Sequence, residues 1–495
     1  MTADGPEFLG LGGRLEAAAG EELVKAGFAM EMADAHLLHD GFALADLAHV
    51  FALTDLGVLP AEDSAALLQA LLEMAAVPAE DFPYDPAYGD PWNSRERRIE
   101  ALAGPRAGWI TVGRPRREAA RVAMRIAIRR AVLDCHTALV GLGDAYLAGA
   151  RRHRQVLMAD FTYLQPAQPT TFGYLLAGYL QPVLRHLVRL ENAYSWVNRS
   201  PAGAGGTAGS SLALDRERLA NRLGFDGVIP HARDAMWQTD GFVDLLATLA
   251  NLAVEAGQVA ADLEIWASPA YGFVELADEY CRVSALMPQK KNPYALAVIR
   301  HAGGSASGAV AELLTVLRTG SARTDHFLSL TGDVNRALVT VAGALRLLSG
   351  VISTLRVNRA ALARSAADPG LVLGDLADRI VSGGLGDRRA VHQLLGLAAR
   401  RAAEAGRPLS SADVASVLSE LGVELPPELL SGLLDPRVVL SSRTVLGGWA
   451  RLPELLTASA RELGRRRRVG TALRSALDGA EAALVAEARD RGRSV

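Results

Sequence analysis

Cysteine is nearly absent from this 495-residue sequence, which has only Cys135 and Cys281, far apart and without the spacing of metal ligands. Two isolated cysteines exclude a disulfide framework and fit a reducing, cytoplasmic location. The N-terminal residues lack the basic and then apolar pattern of a signal sequence. Long apolar runs are also missing, since the nearest candidate, residues 338–355, is interrupted by Arg346. We therefore expect a cytoplasmic protein with no membrane partner.

Neither sign of charge is in excess, because 52 Lys and Arg residues face 55 Asp and Glu residues. This balance gives no reason to expect nucleic acid as a partner. The one basic cluster, residues 465–468, lies in a charge-rich helical tail and is interpreted as a solvated face. His36 and His39 have a spacing that a metal could use on a helix, but no further ligands cluster nearby. We therefore predict no metal.

Aromatic residues are scarce, at 5% of the sequence, whereas apolar residues recur at intervals of three and four. This spacing is typical of helices and predicts an all-α fold. Three domains are predicted: an N-terminal helical domain (residues 1–107), a central bundle of long helices (108–358) and a C-terminal helical domain (359–495). Five long helices are predicted in the bundle, at residues 118–152, 172–198, 235–266, 293–318 and 334–355. Because they are apolar nearly all round, we expect them to be buried by oligomerisation.

The stretch from Ser284 to Pro293 has the pattern of a reactive loop that leads into a helix. Asn292 suits the N-cap and Pro293 the first helical position. The positive end of that helix, with Lys290 and Lys291 beside it, predicts an anion site close to the serine hydroxyl. The alternative from local physics alone is a surface loop before a well-capped helix.

The same stretch, VSALMPQKKNP, resembles the signature of the aspartase/fumarase superfamily, and its MPQKKNP core resembles that of argininosuccinate lyase. Residues 11–15 (LGGRL), the pair Asp90 and Glu96, and residues 434–450 also resemble argininosuccinate lyases. The resemblance extends over the chain except for a tail of about 25 residues. It implies a three-domain helical fold and a homotetramer whose active sites each combine segments from three subunits. It implies no cofactor.

In that superfamily the first serine of the signature is the base, and here that position is Ser284. The lysine and asparagine that hold a substrate carboxylate correspond to Lys290 and Asn292. Val283 and Ala285 replace a glycine and a second serine. These changes imply a less flexible loop entry and one fewer donor to the carboxylate.

Residues 112–118, VGRPRRE, are similar to the TGRSRND segment of argininosuccinate lyases. The resemblance implies that Arg116 binds a substrate carboxylate, which a guanidinium can do with two parallel hydrogen bonds. Pro115 and Arg117 replace a serine and an asparagine that contact substrate. Arg117 is therefore a candidate for altered substrate recognition. The alternative is a solvated, arginine-rich helix start.

Residues 161–169, FTYLQPAQP, are similar to YTHLQxAQP of the same family, which implies that Thr162 and Gln168 contact substrate. Tyr163 stands where the family has a histidine important for proton transfer. The glutamate that pairs with this histidine corresponds to Ala297, so both members of the pair are replaced. We predict that Tyr163 acts as an acid or hydrogen-bond donor toward the leaving group; the alternative is that it only fills the space.

Residues 321–327, SARTDHF, stand where argininosuccinate lyases have a YNRDLQ pattern, and Asp325 matches. The tyrosine and glutamine that hold the arginine-like end of the substrate correspond to Ala322 and Phe327. These apolar residues would leave a guanidinium unpaired, so we do not expect argininosuccinate to be the substrate. The glycine-rich residues 203–210 follow a helix and lack nucleotide-loop spacing, so no nucleotide is predicted.

Two functions are compatible with these residues. The first is a lyase that performs β-elimination, or the reverse addition, on a small carboxylate substrate. It would cleave a C–N bond and release fumarate or a related enoate in a biosynthetic pathway, with Ser284 as base. The second is a catalytically inactive protein that keeps the lyase fold for binding or structure. The replaced Tyr163 and Ala297 pair favours the second, whereas the intact MPQKKNP motif favours the first.

Overall fold

The computed structural model describes residues 14–420, 422–424 and 427–493, and nearly all of its regular structure is helical. The prediction of an all-α fold is therefore confirmed. Residues 11–13 of the LGGRL motif and Pro426 lie outside the described residues.

The N-terminal section consists of short helices followed by three longer ones. Its α-helices are α1 (Glu21–Leu23), α2 (Ala29–Met32), α3 (Ala35–Asp55), α4 (Ala61–Ala75) and α5 (Pro91–Ala103). A π-helical turn joins α1 to α2, and 3-10 helices flank α5: Val24–Phe28, Pro86–Tyr88 and Gly104–Thr111. Helix α5 begins sharply because the Asp90 side chain accepts a hydrogen bond from the Asn93 N–H and Pro91 occupies the first position.

The central section contains the five long helices that the sequence predicts. Its α-helices are α6 (Arg116–Arg152), α7 (Phe172–Val197), α8 (Arg216–Arg222), α9 (Ala232–Trp237), α10 (Asp240–Ala267), α11 (Tyr294–Val316) and α12 (Leu330–Thr354), with 3-10 helices Asp278–Tyr280 and Asp325–Leu328. The predicted start at residue 235 is wrong, because Gln238 has an extended backbone that separates α9 from α10. The predicted N-cap at Asn292 is also wrong. Pro293 occupies that place, and the Asn292 amide donates to the Arg282 carbonyl instead.

Three short antiparallel ladders, which the sequence analysis did not predict, lie between the helices. Their strands are β1 (Leu157–Thr162), β2 (Gln165–Thr171), β3 (Val274–Glu275), β4 (Arg282–Val283), β5 (Lys291–Asn292) and β6 (Arg356–Val357). Strands β1 and β2 form a hairpin, β3 pairs with β6, and β4 pairs with β5. The β4–β5 ladder closes the base of the loop that contains Ser284.

The C-terminal section divides between two hydrophobic cores. Its α-helices are α13 (Arg359–Ser365), α14 (Leu373–Ser382), α15 (Arg388–Glu404), α16 (Ser411–Ser419), α17 (Pro427–Leu433), α18 (Pro436–Ser442) and α19 (Leu452–Gly492), with 3-10 helices Pro369–Val372 and Trp449–Arg451. Buried residues between Val372 and Val439 form a core of their own. Helix α19 returns to the main core, where Leu463 and Leu484 are buried. The predicted division into three domains stays a prediction.

Helix α6 runs from one end of the bundle to the other, and α7 runs antiparallel to it. Helix α6 has 37 residues and is therefore about 55 Å long. Near its start, Arg125 donates to the carbonyls of Trp196 and Val197 at the end of α7. At its far end, the His153 carbonyl accepts a hydrogen bond from Gly173 at the start of α7. We call these two places the Arg116 end and the hairpin end.

Helices α10 to α12 run between the same two ends. Phe242, at the start of α10, packs on Trp196 at the Arg116 end, with ring centroids 4.9 Å apart. Tyr271, just after α10, packs on Phe161 of the hairpin, with ring centroids 5.7 Å apart. Helix α12 ends beside β6, which pairs with β3 at the hairpin end. The loop between β4 and β5 lies at this end too, because Lys291 pairs with Glu275 of β3.

Among the described residues, helices α10 and α12 are long and apolar enough to cross a membrane by length and composition alone, which the sequence analysis did not predict. Within their most apolar windows, 44% and 50% of the residues are buried inside the single chain. Core helices of a bundle pass the same test. The long helices also keep exposed apolar side chains, among them Val254, Val298, Leu314 and Val339. The predicted burial of such side chains by oligomerisation stays a prediction.

Candidate active site

The start of α6 lines a cleft of about 570 Å³, which we call the arginine cleft. Helix α5 contributes Trp92 and Glu96 to its lining, and the glycine-rich turn contributes residues between 205 and 211. The side chain of Arg116 is 38% exposed, and its Nε atom lies 3.3 Å from the Asp90 carboxylate. Because Asp90 also caps α5, a single carboxylate positions Arg116 relative to that helix. The guanidinium remains accessible to a substrate carboxylate.

Glu96 is a group of this cleft that the sequence analysis recorded only as part of a motif. Burial, together with the carboxylates of Glu100 and Asp90, raises the pKa of Glu96 to about 7. Its Oε2 atom is buried and has no hydrogen-bond partner in the described part of the chain. A carboxyl group that titrates near neutrality can exchange a proton with a ligand. The spacing of Asp90 and Glu96 was the signal that could have identified it.

Glu118, the last residue of the Arg116 segment, joins α6 to the glycine-rich turn. Its two carboxylate oxygens accept hydrogen bonds from the N–H groups of Gly203, at 2.7 Å, and Gly205, at 2.6 Å. Burial raises the pKa of Glu118 to about 7, although the two N–H donors oppose that shift. A Cβ atom at Gly205 would lie 2.8 Å from the backbone of Gly209, so the turn requires glycine there. The glycine-rich stretch therefore shapes one wall of the cleft.

Arg117, which the sequence analysis assigns to substrate binding, is engaged within the chain. Its terminal nitrogens donate to the two carboxylate oxygens of Glu31, at 2.9 and 3.3 Å. Both side chains are partly buried. No sequence motif marks this pair, because Glu31 lies on α2 and Arg117 on α6. A contact between Arg117 and substrate stays a prediction.

The hairpin tip presents Tyr163 to solvent, with 99% of the residue exposed. Thr162 pairs with Gln165, so Tyr163 and Leu164 form a two-residue turn, with φ angles of 55° and 58°. Such turns match the twist of a hairpin, but the left-handed conformation costs a residue with a side chain about 1–2 kcal/mol. Strain of this kind often accompanies functional sites. The turn projects Tyr163 away from its own strands.

Gln168 lies on the second strand of the hairpin, six residues after Thr162. It lines a cleft of about 770 Å³ between the hairpin and the C-terminal section. Thr162 and Tyr163 are absent from that lining, although all three residues belong to one hairpin. Gln168 therefore faces a different space from the hairpin tip, and its contact with substrate stays a prediction.

The loop between β4 and β5 folds back on itself around Ser284. The Oγ atom of Ser284 accepts a hydrogen bond from the Met287 N–H at 3.0 Å. The Lys290 N–H in turn donates to the Met287 carbonyl at 3.1 Å. A hydrogen-bond donor to the serine oxygen would stabilise its deprotonated form. The loop thus holds Ser284, partly exposed, beside one such donor.

The two adjacent lysines of this loop have different surroundings. Lys291 pairs with Asp278 at 2.6 Å and Glu275 at 2.7 Å, and these hydrogen bonds raise its pKa. Lys290 is exposed and has no ion pair within the described ranges. Helix α11 has no acidic residue in its first turn, so its positive end remains uncompensated. Lys291 therefore anchors the loop, whereas Lys290 is free to bind an anion.

The candidate site residues form two groups at opposite ends of the molecule. Arg116 and Arg117 lie at the Arg116 end. At the hairpin end lie Thr162, Tyr163, Gln168, Ser284, Lys290 and Asn292. Because α6 alone separates these ends by about 55 Å, a single chain cannot bring both groups to one small substrate.

Within the described ranges, no group of three or more His, Cys, Asp or Glu side chains is placed to hold a metal ion. The two histidines with helical spacing do not form a site. His39 bonds through its ring nitrogens to the Tyr84 hydroxyl, at 2.9 Å, and the Val77 carbonyl, at 3.1 Å. It is therefore a packing residue of the N-terminal section.

A family model described as a lyase matches residues 26–308, which is more than half of the chain. The chain belongs to this lyase family. Among curated relatives, argininosuccinate lyase of Methanothrix thermoacetophila is 30% identical over 461 residues, covering 90% of this chain and 93% of that protein. Argininosuccinate lyase of Halobacterium salinarum (strain ATCC 29341 / DSM 671 / R1) is 33% identical over 406 residues, covering 81% and 82%.

Two solved structures have the same fold as this lyase along nearly its whole length. An EDDS lyase in complex with formate superposes with a TM-score of 0.84, at 23% identity and with 97% of each chain covered. A 3-carboxy-cis,cis-muconate lactonizing enzyme from Pseudomonas putida superposes with a TM-score of 0.71, at 23% identity, covering 90% of this chain and 100% of that one. The family model and the curated relatives confirm the predicted superfamily and the prediction that the protein is a lyase. The roles of individual residues stay predictions.

Proposed function

We propose that this lyase cleaves the C–N bond of an N-succinyl amine, a compound whose amine nitrogen is bonded to carbon 2 of succinate. The products are fumarate, or a related enoate, and a free amine. The argininosuccinate lyases at 30% and 33% identity support this reaction class. The observation that carries the proposal is the loop that holds Ser284, near the positive end of α11 and near Lys290, which forms no ion pair with the described residues.

In the proposed elimination, Ser284 as an alkoxide removes a proton from the carbon next to a carboxylate. The carbanion charge spreads onto that carboxylate, where Lys290, Asn292 and Arg116 stabilise it. The electron pair then forms the C=C bond while the C–N bond breaks. Tyr163 donates a proton or a hydrogen bond to the departing nitrogen. The reverse addition of an amine to the enoate uses the same groups.

The separation of the two groups of site residues supports a homotetramer with shared active sites. If the long helices of two chains pack antiparallel to each other, the Arg116 end of one chain meets the hairpin end of the other. The exposed apolar residues of α10, α11 and α12 would supply the contact surface. In this assembly Tyr163 projects from its hairpin into a site completed by a neighbouring chain. A cytoplasmic location and a biosynthetic role stay predictions.

The function is tested by measuring fumarate release from argininosuccinate and from a panel of other N-succinyl amines, with Ser284→Ala as the matched variant. We expect release that depends on Ser284 from a member other than argininosuccinate. Release from argininosuccinate would contradict the argument from Ala322 and Phe327. Release that persists in Ser284→Ala would exclude this serine as the base. If no member yields fumarate and Ser284→Ala changes nothing, the inactive-scaffold alternative is favoured.

The shared site is tested by co-expressing Arg116→Ala chains with Ser284→Ala chains. Each variant alone should be inactive. If the two residues of one site come from different chains, random mixing leaves about a quarter of the sites intact, and activity should recover to about that level. No recovery from an assembled mixture would place both residues in one chain and contradict the arrangement.

A further inference from the structure

The carboxyl group of Glu96 lies in the wall of the arginine cleft without a partner of its own. Glu96 is a partly buried residue of the second turn of α5, and it lines the cleft together with Arg116. Its Oε2 atom is buried and has no hydrogen-bond partner among the described residues, and Glu96 forms no ion pair with them. A buried polar atom without a partner costs free energy and requires an explanation. A small molecule that enters the cleft to meet Arg116 can reach Glu96 as well.

The charges closest to Glu96 favour its neutral form. Burial is the largest cause of its raised pKa, and the carboxylates of Glu100 and Asp90 add to it. The two guanidinium groups that oppose this shift are those of Arg116 and Arg97. Each of them already pairs with another carboxylate, Arg116 with Asp90 at 3.3 Å and Arg97 with Glu100 at 2.9 Å. Glu96 therefore has no cation to itself.

The elements around α5 supply no further cation for Glu96. Helix α4, the 3-10 helix Gly104–Thr111 and the start of α6 pack on α5. The glycine-rich wall of the cleft, residues 205–211, contains no charged residue. Further charged groups on these elements are engaged elsewhere: Arg114 with Asp46, Arg106 with Asp63, and Glu73 with Arg98.

Trp92 contributes a second unpartnered polar atom to the same cleft. It lies one helical turn before Glu96, and its indole Nε1 atom is buried without a partner among the described residues. An indole N–H can only donate a hydrogen bond, and a protonated carboxyl group also has an O–H to donate. Together with the guanidinium of Arg116, these groups form a set of donors that suits an anion. An ionised Glu96 would instead repel that anion.

We propose that Glu96 binds the substrate carboxylate in its protonated form, as a second donor beside Arg116, and that it takes up this proton from solvent when the substrate binds. The inference rests on the proposed function, in which Arg116 holds a carboxylate. A neutral carboxyl group donates a short, charge-assisted O–H···O hydrogen bond to a carboxylate. The negative charge of the substrate also favours the protonated form of its neighbour. The proton stays on Glu96 during turnover and returns to solvent when the product leaves.

The test counts the protons that accompany the binding of fumarate, whose two carboxylates are ionised across neutral pH. Calorimetric titrations in two buffers with different enthalpies of ionisation give this number. A carboxyl group whose pKa is about 7 is mostly ionised at about pH 8, so wild-type protein should take up close to one proton per fumarate there. At about pH 6 the group is already protonated, and the uptake should be close to zero. The dissociation constant of fumarate should be about tenfold higher at the upper pH.

Glu96→Gln keeps a hydrogen-bond donor and is neutral at every pH. It should bind fumarate without proton uptake and with the same dissociation constant at both pH values. Glu73→Gln is the matched control, because it removes an exposed carboxylate of α4 that lies outside the lining of the cleft. This control should keep the uptake of wild type.

Three results would overturn the inference. The first is fumarate binding to wild-type protein at about pH 8 without proton uptake, which needs no variant to be observed. The second is uptake that persists in Glu96→Gln, which would assign the proton to another group, such as Glu118. The third is an absence of fumarate binding at about pH 6, where the donors of the cleft are complete.

The outcome separates this inference from the proposed function. Proton uptake that depends on Glu96, in a protein that releases no fumarate from any N-succinyl amine, would support the binding site while the elimination fails. Fumarate release that depends on Ser284, in a protein that binds fumarate without proton uptake, would keep the elimination and overturn the role of Glu96.

Discussion

Asp46 holds together the buried elements on which the Arg116 segment rests. Its two carboxylate oxygens accept hydrogen bonds from Arg114, at 2.6 Å, and from Arg95, at 3.1 Å. The side chains of Asp46 and Arg95 are fully buried, and that of Arg114 is 3% exposed. Arg114 stands two residues before Arg116. We predict that Asp46→Asn, which keeps the shape and removes the charge, destabilises the fold and disturbs the arginine cleft.

The magnitude follows from the burial of both guanidinium groups. Removing one partner of a buried ion pair costs about 3–5 kcal/mol, because the remaining charge is left uncompensated. Arg114 keeps two backbone carbonyl acceptors, those of Ala45 and Ile110, which soften the loss on its side. The Arg95 side chain donates to Asp46, but its Nε and Nη1 atoms have no hydrogen-bond partner among the described residues. We therefore expect a loss of about 3–5 kcal/mol in the free energy of unfolding, with Arg95 as the main source.

The assay is urea unfolding at one fixed protein concentration, because assembly contributes to apparent stability. The matched control is Glu100→Gln, which removes an exposed carboxylate that pairs with Arg97 at 2.9 Å. An exposed pair contributes about 0–1 kcal/mol, so this variant should unfold close to wild type. If Asp46→Asn is no less stable than Glu100→Gln, the buried cluster does not support the cleft as we argue.

Three further predictions concern the hairpin tip, the two lysines and Glu118. Tyr163→Phe should lower kcat at least about tenfold with KM little changed, because it removes only the hydroxyl. If steady-state kinetics show an unchanged kcat, Tyr163 only fills space in the site. Lys290→Ala should lower kcat/KM about 10- to 100-fold, the value of a charged hydrogen bond, at unchanged melting temperature. Lys291→Ala should instead increase proteolytic cleavage within residues 284–290, because Lys291 anchors the loop. Equal cleavage of Lys290→Ala and Lys291→Ala would contradict the different roles of the two lysines. Because burial raises the Glu118 pKa from 4.5 to about 7, its stabilising contribution is complete below pH 4.5 and is lost as pH rises to about 7. In urea unfolding, the free energy of unfolding of Glu118→Gln should rise by up to about 3 kcal/mol relative to that of wild type as the pH increases across that interval. If the difference between the two proteins does not vary with pH, the raised pKa of Glu118 is refuted.

The long helices could be predicted from the sequence because their apolar spacing continues over many turns. The hairpin could not, since Pro166 and Pro169 interrupt its second strand and no alternation marks it. Contacts from distant segments stabilise it instead. The Ala159 N–H donates to the Ser365 hydroxyl, and the Trp449 indole donates to Thr171. Tertiary contacts of this kind override local preference.

The difference between adjacent residues of one motif was also hidden in the sequence. Lys290 and Lys291 are identical and neighbouring, yet only Lys291 meets the carboxylates of Glu275 and Asp278. Motif resemblance predicted Ser284 and Arg116 as site residues, and the fold was needed to show that they lie at opposite ends of the molecule.

The proposed chemistry at Ser284 depends on assembly for a physical reason. Its own chain offers the serine oxygen the Met287 N–H, the start of α11 and the exposed Lys290. Arg116, which the proposal assigns to the same substrate, lies beyond a helix of about 55 Å. The charge that develops on the substrate would therefore be shared between the lysine of one chain and the arginine of another. Because neither group completes the site alone, a folded but dissociated chain should turn over no substrate, and activity should follow assembly rather than folding.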